Sequence, residues 1–150
     1  MRHGPKQPIS VAPLGFKGYP RDRARRRIKF IESFCVIPRG KNAGKNAKIQ
    51  GFQREILTGA FAPGVRTALV SIPRANGKTM LAAFLAIAEL FVGPPSAEVI
   101  VVASDQRQAS IVLKYAKRIV EMNPVLAERV HVYADHLYLP ENDATLTPPA

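Results

Sequence analysis

Tryptophan is missing from this chain, aromatic residues make up only 7% of it, and Cys35 is its one cysteine. A single thiol excludes an internal disulfide, so aliphatic packing must hold the fold, as expected of a reducing compartment. Long apolar runs are also missing. Met80 to Val92, the longest, contains Glu89 and falls short of the ~20 residues that a membrane-crossing helix needs. Met1 to Pro20 is basic and broken by proline and glycine, without the apolar stretch of a secretory signal. These absences predict a soluble, cytoplasmic-type chain with no membrane partner. Its 150 residues suffice for one domain with a real core.

Negative charge is scarce in a particular place. Residues 1–50 carry 13 Lys/Arg against Asp22 and Glu32, whereas residues 51–150 carry 9 basic and 9 acidic residues. The whole net charge of +11 therefore belongs to the N-terminal third. A local field of that size attracts polyanions, and duplex DNA is the partner it suggests. The plainer alternative is a solvated arm that aids solubility.

What is present is a strand-like run, a tight loop and an apolar helix. Thr67-Ala-Leu-Val-Ser-Ile72 leads into Pro73-Arg-Ala-Asn-Gly-Lys-Thr79, and the apolar segment Gly77 to Phe91 follows. In a phosphate-binding loop of this layout, backbone N–H groups and a helix N-terminus cradle a triphosphate. Lys78 then reaches the β- and γ-phosphates, and the Thr79 hydroxyl sits on Mg²⁺. The candidate ligands are thus ATP and Mg²⁺, with Pro73, Arg74, Ala75, Asn76, Gly77, Lys78 and Thr79 as the binding loop. One departure stands out: Ile72 holds the place where the usual pattern opens with glycine.

Periodicity organises the rest. Ile28, Ile31, Phe34 and Cys35 fall at helical spacing within Arg21–Cys35, and a glycine-broken polar loop follows at 39–48. Phe52 to Ala60 reads as a short helix. Val99 to Ala103 is a continuous apolar run, as in a parallel strand covered on both faces. Ser104 is placed to cap the next helix, with Asp105 in its first turn and Ala109, Val112, Ala116, Ile119 and Val120 on its inner face. Val130–Tyr133 and His136–Leu139 read as two short strands about a turn. The predicted class is α/β, a P-loop NTPase-type parallel sheet flanked by helices. His131 and His136, five apart across that turn, are not read as a metal site; Asp135 reads as a turn aspartate rather than a catalytic carboxylate after a strand, and Cys35 reads as core.

Taken in order, four segments carry a family likeness: Arg27 to Gly40, Gly44-Lys45, Gly51-Phe-Gln-Arg54 and Pro73 to Thr79. Together they resemble the large terminase subunit of tailed bacteriophages, an ATP-driven motor and endonuclease that packages and cuts phage DNA. The resemblance, over roughly residues 20–140, implies three further roles. Arg74 takes the place of the catalytic arginine that acts on the γ-phosphate. Gln53 takes that of the glutamine that hydrogen-bonds the adenine edge, with Phe52 beside the base. Ser104 to Ala109 matches the next motor motif, to which no chemical role is assigned. The implied partners are duplex DNA, the portal and the small terminase subunit, with a homo-oligomeric ring in the full-length protein. The implied location is the host cytoplasm at the procapsid.

The same resemblance defines what is not found. No apolar run ending Asp-Glu follows the third strand, and no cluster of nuclease carboxylates is visible. The expected organisation is a flexible basic arm at residues 1–20. Residues 21–150 would be the N-terminal part of a P-loop ATPase domain, its sheet incomplete at the C-terminal end. The Walker B half and the nuclease domain would then be absent. Neither ATPase nor nuclease turnover is expected of this chain alone. Two other readings fit parts of the pattern: a non-catalytic DNA-binding remnant or adaptor, and a fragment of a helicase-like nucleic-acid ATPase.

Overall fold

The computed structural model describes residues 9–73 and 77–148. Helix α1 (Arg23–Phe34) starts where the Asp22 carboxylate accepts the Arg25 N–H at 2.8 Å, satisfying one first-turn donor. Helix α2 (Gly51–Ala60) follows a looped-back segment held by Ile37 N–H to Lys45 O and Ala47 N–H to Cys35 O. Helix α3 (Lys78–Val92) is apolar nearly all round and is accordingly buried from Leu81 to Val92 on most sides. It stops at Gly93, where any Cβ would run into the Glu89 carbonyl.

Strand β1 (Glu98–Ile100) leads to helix α4 (Gln106–Met122), which is capped by Asp105 accepting the Gln108 N–H at 3.0 Å. The cap is thus Asp105 rather than Ser104, because its side chain reaches the third helical amide. Leu113, rather than Val112, completes the buried stripe with Ala109, Ala116 and Val120. Helix α5 (Pro124–Ala127) and strands β2 (His131–Val132) and β3 (Leu137–Leu139) follow. A 3₁₀ turn (Pro140–Asn142) and strand β4 (Ala144–Thr147) complete the chain's described part.

The sheet order is β1-β4-β3-β2. Only β1 and β4 are parallel; β2 with β3 and β3 with β4 run antiparallel. The fold is therefore α/β with a mixed, mostly antiparallel sheet, which corrects the expectation of a parallel P-loop sheet. Short connections decide this. A single 3₁₀ turn with Asp143 in the left-handed region (φ 50°) can only bring β4 back antiparallel to β3.

A second correction concerns residues 67–72, expected as the first core strand. They form no ladder, and Leu69 is 98% exposed. A strand exists only beside another, and no described segment lies against this one.

The core joins the inner faces of α1, α3 and α4 to Leu137, Leu139, Ala144 and Leu146. Phe30 stacks on Phe91 with ring centroids 5.1 Å apart. Arg27 is buried too: it grips Glu89 through two hydrogen bonds of 2.7 and 3.0 Å, with Phe61 under its guanidinium at 4.6 Å. The one carboxylate on α3 is thereby neutralised by one of the many cations on α1. Leu14, Phe16 and Tyr19 also pack on this body, and Glu141 accepts the Leu14 N–H at 2.9 Å.

Candidate nucleotide-binding site

Helix α3 begins with Lys78 and Thr79, both exposed, immediately after Gly77. Gly77 takes φ 73°, a left-handed conformation that glycine adopts without strain, and it offers no side chain to cap the helix. The first-turn N–H groups therefore have no side-chain acceptor among the described residues. Four orphan donors and the positive end of a 15-residue helix face outward here, which suits an anion.

Gln53 sits beside this turn. It is the third residue of α2, and its Nε2 lies 3.7 Å from where a Cβ on Gly77 would be. Its Oε1 accepts the Gln50 N–H at 3.0 Å, so the helix start itself orients the amide. Glu32 on α1 secures the same corner: its carboxylate accepts the Ile49 N–H at 3.1 Å and lies 3.5 Å from the Arg54 guanidinium. Two positions 24 residues apart in sequence are thus brought into one place.

Side by side, the two line a cavity of about 260 Å³. Ile37, Ala47, Leu81 and Phe84 give it apolar walls; Gln50, Gln53 and Lys48 are its polar lining. Its size is near the lower end of ligand pockets, about 300–1,000 Å³, which suits a ring rather than a whole nucleotide. No carboxylate among the described residues lines it. An apolar slot with the Gln53 amide beside an anion-receptive helix start suits a base with a phosphate tail.

Of the residues singled out in the sequence, Gln53 and Gly77 share the cavity, while Lys78 and Thr79 stand at the helix start next to it. Phe52 lines the cavity and is 39% exposed. Pro73 is exposed, and Arg74, Ala75 and Asn76 lie outside the described residues. Lys48, Gln50, Ile37 and Phe84 were not read as site residues. The Gln-x-x-Gln spacing of a helix-start box marks Gln50 in retrospect. Nothing local marks Ile37 or Phe84, which arrive from separate segments.

A second cavity, of about 450 Å³, lies where β1 and β4 end, lined by Ser104, Asp105, Ala134 and Asp135 among others. Its carboxylates already serve local structure. Asp105 caps α4, and Asp135 contacts His136 Nδ1 at 2.7 Å. The His136 bond is the main reason the Asp135 carboxyl is held below its ordinary pKa. His136 is itself buried, stacked on Tyr133 at 4.3 Å. Burial pushes the Cys35 thiol far up, so it is not a nucleophile at neutral pH. Among the described residues no group of three metal-ligating side chains forms, and no helix is long and apolar enough to cross a membrane.

A cavity beside a glycine at a helix N-terminus, on an α/β frame, is the setting that nucleotide-site domains use. The particular family is given by sequence and fold together. Residues 52–136 match the family described as terminase large subunit, ATPase domain, and the chain belongs to that family. It is 37% identical, over 73% of its length, to the large terminase subunit of Enterobacteria phage HK97. The crystal structure of the HK97 bacteriophage large terminase superposes with a TM-score of 0.75 at 31% identity, covering 84% of this chain. The chain spans 23% of the curated relative and 27% of the solved one.

Proposed function

We propose that this chain binds ATP with Mg²⁺ as the nucleotide-binding part of a phage DNA-packaging motor. In the full-length protein, ATP hydrolysis would drive duplex DNA translocation. The observation that carries the reading is the juxtaposition of Gln53 and Gly77 on the lining of one cavity, to which no described carboxylate contributes. Gln53 hydrogen-bonds the base edge. Residues 73–77 wrap the phosphates, Lys78 pairs with the β- and γ-phosphates, and the Thr79 hydroxyl ligates Mg²⁺. Arg74 stabilises the γ-phosphoryl charge. In this reading residues 21–150 are the N-terminal part of the ATPase domain. Partners are duplex DNA, the portal and the small terminase subunit, with ring assembly in the longer protein and a place at the procapsid.

Titration of a fluorescent ATP analogue tests the assignment: Lys78→Ala should weaken binding at least tenfold, and equal binding would remove it. Hydrolysis is not expected of the chain alone, since no described carboxylate lines the cavity to order metal and water. Phosphate release on the order of one per second, abolished by Lys78→Ala, would overturn that expectation.

Duplex DNA is assigned to the N-terminal third. Arg21, Arg23, Arg25 and Lys29 remain exposed on and beside α1, with only Arg27 withdrawn into the interior. Such a surface predicts binding without sequence preference and a linear fall of log K with log salt.

A further inference from the structure

We propose that Lys48 is a second phosphate-binding cation of the nucleotide site, acting alongside Lys78. The inference rests on the nucleotide reading and deepens it.

The backbone around Lys48 is fixed on both sides. Ala47 is buried and donates its N–H to the Cys35 carbonyl at 2.9 Å. Ile49 is buried and donates to Glu32 Oε2 at 3.1 Å. With its two neighbours turned into the core, extended alternation turns Lys48 outward, and there it lines the 260 Å³ cavity with Gln53 and Gly77.

The charge of Lys48 is unspent. Its ammonium makes no hydrogen bond or ion pair among the described residues, although Glu32 is close to the same corner. Glu32 is already engaged by the Ile49 N–H and by Arg54. The neighbouring loop cations differ: Arg39, Lys41 and Lys45 line no part of the cavity, and Lys45 donates to Asn42. Among the described residues, Lys48 is the one charged side chain that lines the cavity. A cation pinned at its backbone, unpaired at its tip and lining a slot without described carboxylates suits an anionic ligand. Lys48 adds a point charge on a flexible stem, which suits phosphate without demanding a fixed fork geometry.

The test uses the 150-residue chain and its Lys48→Gln, Lys48→Arg and Gln53→Ala variants. Each is titrated with a fluorescent ATP analogue and with the matching fluorescent nucleoside. Lys48→Gln should weaken the triphosphate roughly threefold to tenfold, as for one partly exposed charge-assisted contact, and leave the nucleoside unchanged. Lys48→Arg should return the triphosphate to within about twofold of wild type, because a cation is restored. Gln53→Ala should weaken both ligands alike. Unchanged triphosphate binding by Lys48→Gln overturns the proposal. So does an equal loss of both ligands, or loss of the folded circular-dichroism spectrum, either of which makes Lys48 structural. Failure of the wild type to bind any triphosphate would instead remove the underlying nucleotide reading.

Discussion

The side of the sheet where β3 and β4 meet α3 and the side where β1 ends differ in how much of their apolar sequence is covered. Leu137, Leu139, Ala144 and Leu146 are fully buried. At the other side Ile100 is 55% and Val102 74% exposed, and a groove of about 460 Å³ runs between them and Ala82, Leu85 and Ala86 of α3. Residues 67–72 are just as rich in strand-forming side chains, yet stand unladdered. Hydrophobic content is similar in both regions, so composition is not what separates them. Neighbours do: among the described residues β4 has a strand on each side, whereas β1 has one only on its β4 side. An uncovered apolar edge invites pairing with another strand and limits solubility.

The largest expected effect tests that contrast directly. Leu146→Ala should destabilise by roughly 2–5 kcal/mol, the cost of an unrelaxed cavity in a packed core. Leu69→Ala should stay within about 0.5 kcal/mol, as for an exposed substitution. Urea unfolding midpoints measure both, and a costly Leu69→Ala would show that residues 67–72 are packed after all.

A smaller effect concerns the Arg27–Glu89 ion pair, whose carboxylate residue lines that same groove. Arg27→Ala leaves Glu89 facing apolar neighbours, and fully buried pairs lose about 3–5 kcal/mol in this way. The Glu89 side chain is 25% exposed, so about 2–3 kcal/mol is expected here. Replacing Arg27 and Glu89 together by Met and Leu should recover most of it. If Arg27→Ala alone proved neutral, the pair would count as a surface contact.

The smallest effect is on pH dependence. Hydrogen bonding to His136 holds the Asp135 carboxyl below its ordinary value of 3.8. A depressed folded pKa means the unfolded chain takes up the proton first. The stabilisation is therefore full above that ordinary value and fades as the pH falls through the depressed one. Asp135→Asn should make the acid limb of a stability profile shallower. An unchanged acid limb would show that the Asp135–His136 bond contributes nothing.

Much of the fold was legible because the relevant signals are local. The α1 stripe, the Gly93 stop, the Asn123-Pro124 break and the β2–β3 hairpin each follow from a few adjacent residues. Strand β4 was not foreseen. Its Ala-Thr-Leu-Thr alternation is only four residues long and follows a proline-led turn, so it resembles a tail until Leu137 pairs with Leu146. The buried role of Arg27 was equally hidden, since its partner lies 62 residues away.

For the site, the proposed phosphate loop is read from the residues alone. Glycine before Lys-Thr at the head of an apolar helix is a statement about backbone freedom and dipole that needs no distant contact. They also determined the basic N-terminal third, because net charge is additive along a chain. Tertiary structure alone decided that Gln53 stands against Gly77, that Lys48 faces the same cavity, and that the sheet is mixed. Those outcomes depend on which surfaces meet across tens of residues. Burial free energy is shared among all of them, and no window of sequence contains it.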